Sequence, residues 1–594
     1  MRFNANDLKE MSNAVRAHAL HAINAAGSGH VGIVMSASNI VTTIYANFLR
    51  AGLDRFVLSA GHGSAMLYSV LKLAGYKVGD LDSFRQIGGL PGHPEIGIDG
   101  VDATTGPLGQ GVANAVGMAL AEKIRGTGAR VYCLCSDGDL SEGVAAEAIA
   151  FAGRYKLDNL VLLWDDNGLS IDGTALTAVD VPGVMRASGW RVINDIDMND
   201  FDRLNRALVD SKRSRLPTFI QVKTVLGAGT SVAGRAAAHG LAIGVPELLK
   251  LMRQYVSGTG EARWNQLAAG TVKYNAENMH TIIPNPTFKT DKDEVSTREL
   301  SGEYLNLLLA HGMNLVGGSA DLGSNTGARV EQSKPIAAGD FAGNYINYGV
   351  REHAMAAIMN GMCAAGVRAY GSTFLVFSDY MRPAIRIAAM SKLPVVYLFS
   401  HDSVAVGQDG PTHQPIEQLA SLRLIPNLNV LRPCNACEVA WAWQTALSNT
   451  LRPSAIILSR QKFKQIATPR DADLSNGAYV IHAAKSRRVR ITIIATGADV
   501  PFAVSVSKKI GPSVQVVSMP SVEKFRASPQ KFQKEMLRGF VVAIEAGATA
   551  SWFEFADAVV GIDRFGMSGD GDAVMRAMGF DVDAVAADIC KKMK

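Results

Sequence analysis

Short apolar runs alternate with longer amphipathic stretches along almost the whole of this chain. Val131–Cys135 and Asn159–Trp164 read as buried strands and Glu142–Lys156 between them as a helix, so the two strands are expected to run parallel. The same alternation returns in NLVGG, LPVVYLFS and PSAIILS of the middle of the chain, and in RITIIATG, VQVVSMP and FVVAIEAG near its end. Such patterns predict an α/β fold with mostly parallel sheets in three blocks. The blocks fall at 1–245, 295–470 and 471–594, with a mixed connector at 246–294 that ends in the proline-broken, charged stretch IIPNPTFKTDKDE. At the start, the spacing of Leu8, Met11 and Val15 predicts an amphipathic helix, and the segment lacks the apolar core of a signal peptide.

Composition narrows the class. A chain of 594 residues with 48% hydrophobic content is large enough for three or four domains with sizeable cores. A net charge of +5 without a long basic run gives no support to nucleic-acid binding, although a local cluster of cations still suits a phosphorylated substrate. No apolar stretch is long enough to span a bilayer. Of the six cysteines, Cys434 and Cys437 form a lone C-x-x-C with no second pair to complete a zinc site. Structural thiols and a cytoplasmic location are therefore expected.

The chemistry concentrates between Ser136 and Gly173. An Asp-Gly turn and an Asn-Gly turn stand at the ends of the two predicted strands, where ligands of parallel sheets collect. Asp137 and Asn167 offer hard oxygen donors, and a main-chain carbonyl just after Asn167, at Leu169, adds a third. That set suits Mg2+, or Ca2+ or Mn2+, carrying a diphosphate, and Gly138 lets the backbone come close to it. The glycine-rich Thr104–Gly111 segment precedes a helical stretch, an arrangement that serves anions but is also common for geometry alone.

These residues resemble the thiamine diphosphate signature in its transketolase version, standing here as Asp137-Gly138 through Asn167. Ser136 occupies the position where the family usually has glycine, and only a modest adjustment of the turn is expected. A second signature, NYINYGVREHAM, carries Glu352. The resemblance extends along essentially the whole chain, which is somewhat shorter than the family's usual size. It implies a diphosphate-binding domain, a pyrimidine-binding domain and a transketolase C-terminal domain, in that order.

The resemblance also implies roles. Glu352 hydrogen-bonds the aminopyrimidine ring of the cofactor and shares the proton that activates it, a task helped by the raised pKa of a carboxyl in an apolar pocket. Phe374, Phe377 and Tyr380, spaced every three residues as along one face of a helix or turn, surround that ring, and Asp321 lies near it. Gly106 and Leu108 hold the pyrimidine end, and Glu142 joins the cofactor set.

Six of the twelve histidines stand in glycine- or proline-marked loops or in FSHDS: His30, His62, His93, His239, His401 and His413. Imidazoles there can accept and donate protons at the hydroxyls of a ketose. By resemblance His62 and His239 approach the cofactor and its reacting end, while His30, His93 and His413 handle substrate hydroxyls and proton transfer. Arg298, Ser324, His401 and Arg460 match positions that clasp a sugar's terminal phosphate, and Asp409 matches one that contacts a sugar hydroxyl. The loop Asp321–Asn325 is one residue shorter than the family pattern, so the loop carrying Ser324 is expected to sit differently.

The implied activity is transfer of a two-carbon ketol unit from a ketose phosphate to an aldose phosphate, through a thiamine-bound dihydroxyethyl intermediate. A homodimer with active sites at the subunit interface is implied as well. The alternatives are a deoxyxylulose-phosphate synthase, a specialised transketolase for an unusual sugar, or a catalytically silent regulatory relative; the last is expected to have lost Glu352, a metal ligand or several histidines.

Overall fold

The computed structural model describes residues 3–174, 179–241, 243–270 and 283–593. The chain divides into two compact units, 1–279 with 337–342 and 357–367, and 280–336 with 343–356 and 368–594.

The first unit is built on a five-stranded sheet: β1 (Arg55–Leu58), β2 (Val131–Ser136), β3 (Leu160–Asp166), β4 (Arg191–Asp197) and β5 (Thr218–Lys223), in the order β1-β2-β3-β5-β4. Every neighbouring pair is parallel. β3 is buried along its whole length, as strands covered on both faces must be. Helix α1 (Ala5–Ala26) starts at Asn4, whose side chain and that of Asp7 form a reciprocal cap, and it buries Leu8, Met11 and Val15 as the spacing predicts. Two helices, α2 (Val245–Tyr255) and α3 (Gly258–Ala269), occupy part of the stretch read as a connector. They pack on α1, where the buried Trp264 donates its indole N–H to the Met11 carbonyl at 2.9 Å. The proline that signals a break, Pro246, lies in the first turn of α2, where its missing N–H has no helical partner to lose.

The second unit holds the other two sheets. One comprises β6 (Val316–Ser319), β7 (Tyr345–Asn347), β8 (Ala369–Phe374), β9 (Val396–Ser400), β10 (Asn429–Leu431) and β11 (Ser454–Ile457), in the all-parallel order β7-β6-β8-β9-β11-β10. The last comprises β12 (Tyr479–His482), β13 (Ile491–Ala495), β14 (Val514–Ser518), β15 (Phe540–Ile544) and β16 (Ala558–Val560), in the order β12-β14-β13-β15-β16. Only β12 pairs antiparallel there. Each apolar run read from the sequence is a strand of these sheets. The second and third blocks share one compact unit because polar side chains are buried between them, among them Glu438, which accepts from Tyr479 Oη at 2.8 Å and Ser518 Oγ at 2.6 Å.

Two local expectations need correction. Asp137-Gly138 is not a turn: Asp137–Ser141 is a short helix, because Ser136 and Asp139 cap it reciprocally. Phe374, Phe377 and Tyr380 do not share a helix face. Phe374 ends β8, Phe377 closes a 3-10 turn, and Tyr380 lies in the helix Ser378–Met390 and is 64% exposed. Aromatic spacing alone cannot tell a helix face from a strand running into a helix.

Candidate active site

The carboxyl edge of the first sheet gathers the residues of the first signature. Ser136 ends β2 with φ −111° and ψ 175°, an extended conformation open to any residue, so the position has no need of glycine. Its side chain is used: Ser136 N–H and Oγ donate to Asp139 Oδ2 at 2.9 and 3.0 Å. Asp139 Oδ1 accepts from Gly109 N–H at 2.8 Å and from Ser59 Oγ at 2.6 Å. A single buried carboxylate thus ties the ends of β1 and β2 to the glycine-rich loop. Burial raises its pKa and these four donors oppose the rise. Asp139 was not among the expected site residues, although S-x-x-D at the start of a helix was a readable signal.

Asp137 is buried and its Oδ2 has no hydrogen bond. Burial first, then Asp166 and Asp165 at the end of β3, push its carboxyl up to about 7, while the Asn167 main-chain N–H pulls the other way. Asp165 is held by Ser36 Oγ at 3.0 Å and by Thr224 Oγ1, and Asp166 by Gln221 and Lys223, each at 2.5 Å. Asn167 Oδ1 accepts from Leu169 N–H at 3.1 Å across Gly168, whose φ of 67° requires glycine here. Leu169–Ser170 then pairs antiparallel with Gly173–Thr174. A buried carboxylate oxygen without a donor, next to two more acids and an amide oxygen, fits a divalent cation. No group of three or more His, Cys, Asp or Glu side chains among the described residues forms a metal cage.

Above this edge is a cleft of about 380 Å³ lined by His30, His62, His93 and His239 together with Gly138 and Asn167. The imidazoles are close neighbours: ring centroids are 4.9 Å apart for His62 and His239, 5.2 Å for His30 and His62, 5.6 Å for His30 and His239, and 6.3 Å for His30 and His93. Burial lowers the pKa of all four, His30 to about 4, with the Arg85 charge, His239 and His93 adding to the effect on His30. Near neutral pH the cluster is uncharged, so each ring offers one donor and one acceptor.

Arg85 is a residue that no sequence pattern marks. It donates from Nη2 to His30 Nδ1 at 3.1 Å and from Nη1 to Ser28 Oγ at 2.5 Å. A guanidinium only donates, so His30 Nδ1 is an acceptor and its Nε2 carries the proton.

Gly106 has φ 144°, which only glycine adopts readily, and lines the cleft with Leu108. A Cβ on Gly138 would lie 2.8 Å from Leu108 Cδ1, so this glycine makes room for that leucine. Glu142 stands exposed at the head of the helix Gly143–Tyr155 and is not part of the cleft lining.

The four lowered imidazoles set a pH dependence. Their folded pKa values lie below the ordinary 6.5, so as pH falls below that value the unfolded chain takes up protons that the folded chain refuses. The imidazoles are expected to subtract stability from the cofactor-free protein as pH falls from about 6.5 to about 4, against the opposite contribution of the raised Asp137 and Asp165 carboxyls, so His62→Asn is expected to shift the curve of melting temperature against pH upward at the acid end relative to the parent protein. An acid end unchanged by that substitution would contradict the assignment.

The second unit carries the other candidates at the carboxyl ends of its first sheet. Glu352 is the first residue of the helix Glu352–Ala364 and is partly buried. Phe374 lies against Phe377, with centroids 5.9 Å apart, and stacks on His401 at 3.6 Å; Phe377 meets His413 edge-on at 5.3 Å. His401, just past β9, is buried, with Nδ1 bonded to Ser400 Oγ at 2.8 Å. Burial, then the charges of Arg298 and Arg460 and the neighbouring His413, lower its pKa to about 3.

Arg298 Nη1 donates to the Asn325 carbonyl at 2.5 Å, which brings it beside Ser324. Ser324 and Asp321, the latter with φ 66°, line a smaller cavity of about 170 Å³ with Arg329 and Asn347. Arg460 donates to the Val406 carbonyl at 3.3 Å and is otherwise exposed, as is Asp409. Two arginines whose charges reach a buried histidine are donors of the kind that suit an anion.

Comparison with known proteins agrees with both halves. Family models match in order along the chain: transketolase, thiamine diphosphate binding domain over residues 8–261; transketolase, pyrimidine binding domain over 293–465; and the transketolase-like C-terminal domain over 477–581. The transketolase of Halalkalibacterium halodurans is 39% identical, over 97% of this chain and 97% of its own. Among solved structures, the transketolase of Campylobacter jejuni superposes with a TM-score of 0.91 at 35% identity, covering 99% of this chain and all of its own. That of Pichia stipitis, in complex with sedoheptulose 7-phosphate, superposes with a TM-score of 0.94 at 31% identity, covering 99% of this chain and 98% of its own.

Proposed function

The chain belongs to the transketolase family and is an enzyme of that type, and from this premise we propose how its residues divide the work of moving a two-carbon ketol unit from a ketose phosphate to an aldose phosphate. The observation that carries the assignment of roles is the uncharged cluster of His30, His62, His93 and His239 over the Asp137–Asn167 edge.

Asp137, the Asn167 amide oxygen and the Leu169 carbonyl would hold a magnesium ion, with calcium or manganese served by the same oxygen chemistry. The free Oδ2 of Asp137 and its acidic neighbours support this reading. When bound, thiamine diphosphate supplies a centre that stabilises carbanion character at the substrate carbon. In the first unit Gly106, Leu108, Gly138 and Glu142 would contact the cofactor, and in the second unit Asp321, Phe374, Phe377 and Tyr380 would supply the contacts to its pyrimidine. Glu352 would share a proton with the pyrimidine ring, and His62 and His239 would serve the reacting end.

His30, His93 and His413 accept and return protons at substrate hydroxyls. Burial, with Arg85, keeps His30 neutral, and Arg85 sets its proton on Nε2, the state such a relay needs. Arg298, His401 and Arg460, with Ser324, clasp the terminal phosphate, and Asp409 contacts a hydroxyl. The Pichia stipitis relative binds a seven-carbon sugar phosphate, which supports this substrate class here.

The reading extends to a homodimer in which a second copy of the chain completes each active site, and to the cytosol, which suits a chain whose six cysteines are all free. No helix among the described residues is long and apolar enough to cross a membrane.

The test is two-carbon transfer from xylulose 5-phosphate to ribose 5-phosphate, followed by appearance of the seven-carbon and three-carbon products. Protein stripped with a chelator is expected to fall to background and to recover when thiamine diphosphate and magnesium are returned together. Full activity in the stripped protein would exclude the cation site at Asp137.

A further inference from the structure

His401 combines two properties that rarely meet: it is a buried, non-glycine residue and its backbone is left-handed, with φ 65°. An L-residue keeps that conformation only when its surroundings over-determine it. The ring is fixed on one side by Phe374, at 3.6 Å, and by Ser400 Oγ. The chain beyond it is fixed at Asp402, whose Oδ2 accepts from Arg432 Nε at 3.1 Å and from Arg432 Nη2 at 2.7 Å. The other oxygen, Oδ1, is buried with no hydrogen bond, so among the described residues Arg432 alone holds this carboxylate.

Arg432, just past β10, is itself fully buried and is held from the last sheet. Its Nη1 donates to Asp499 Oδ2 at 2.5 Å and to the Thr496 carbonyl and Oγ1 at 3.2 and 2.9 Å. Its main chain bonds to Pro520 and Gly497. Asp499 in turn accepts from Ala546 N–H at 3.0 Å, and Glu545, 3.5 Å from Arg432, is gripped by Arg423 at 2.7 and 2.8 Å. Thr496 and Glu545 follow β13 and β15 directly, so the guanidinium links the carboxyl edges of two different sheets. A planar fork with fixed donors transmits position as a flexible ammonium does not.

We propose that Arg432 and Asp402 are positioning residues for the sugar-phosphate site: anchored in the C-terminal sheet, they hold His401 in its left-handed conformation and so fix the direction of its imidazole. The inference rests on the reading of His401 as part of the phosphate clasp. It gives the C-terminal domain, which holds none of the expected site residues, a part in substrate binding.

The cofactor-loaded enzyme is assayed with xylulose 5-phosphate and with erythrulose, a short ketose that carries no phosphate. Asp402→Asn keeps the shape and removes the charge that Arg432 grips. It is expected to raise KM for the phosphorylated donor about tenfold while kcat and the KM for erythrulose stay within about twofold. Arg432→Lys, which keeps the charge but loses the fork, is expected to shift the same ratio and decides the matter should Asp402→Asn fail to fold. A variant that folds and changes both KM values equally, or neither, overturns the proposal. His401→Ala separates the two levels of the argument. If it discriminates between the donors and the positioning variants do not, the proposal alone fails; if it does not discriminate, the phosphate reading fails and the proposal with it.

Discussion

Replacing Glu352 by alanine is expected to lower turnover by about a thousandfold, the scale of a lost proton-transfer group, while leaving thiamine diphosphate binding largely intact. Glu352 opens the helix Glu352–Ala364, whose following residues Ala354 through Met359 are completely buried. The helix is therefore held by packing, to which the acidic side chain at its start adds a favourable dipole contact of about 0.3–1 kcal/mol. Glu352→Gln is the informative companion, because it retains size and hydrogen-bonding capacity but cannot carry the proton. Both variants are expected to lose turnover together, with cofactor affinity measured by calorimetry and fold by melting temperature. Near-normal turnover in either would falsify the role.

Substituting Asp137 with asparagine is expected to abolish cofactor-dependent transfer, with a loss of about a hundredfold or more in metal affinity, and at the same time to stabilise the cofactor-free protein. Both effects have one origin. The Asp137 carboxyl is buried beside Asp165 and Asp166, with one oxygen unbonded and its pKa pushed up to about 7. A folded pKa above the unfolded one means that the folded state prefers the proton. Stability from this group is full below the unfolded value of about 3.9 and is lost as pH rises towards 7. At neutral pH the cofactor-free fold thus carries a strained charge, which asparagine removes, worth on the order of 1–3 kcal/mol. The paired readouts are melting temperature without cofactor, expected to rise, and transfer with excess magnesium and cofactor, expected to vanish. A variant that melts lower and still works would show Asp137 to be an ordinary core carboxylate.

Much of this was legible before the fold was known. The strands came from apolar runs closed by turns, and their parallel pairing from the helices between them. Leu8, Met11 and Val15 are buried in α1 as their spacing required. Asn167, Gly138 and four of the expected histidines, His30, His62, His93 and His239, line one cleft. What failed was of one kind. The spacing of Phe374, Phe377 and Tyr380 was compatible with more than one backbone path, and Asp137-Gly138 was weighed without the capping partner Asp139 that turns it into a helix start.

The sequence by itself determined the family, the strand and helix grammar, and the sheet edge that carries the two strand-end motifs, because each depends on residues close together in the chain. Only the tertiary structure decided which far-separated groups complete those motifs. Arg85 reaches His30, Asp139 collects Ser59 and Gly109, and Arg432 joins Asp402 to Asp499, each across stretches of chain with no shared period. The physical reason is that parallel sheets bring successive strand ends to one edge whatever lies between them. A buried polar group takes its charge and tautomer from the partners assembled there, and local sequence does not record which partners those are.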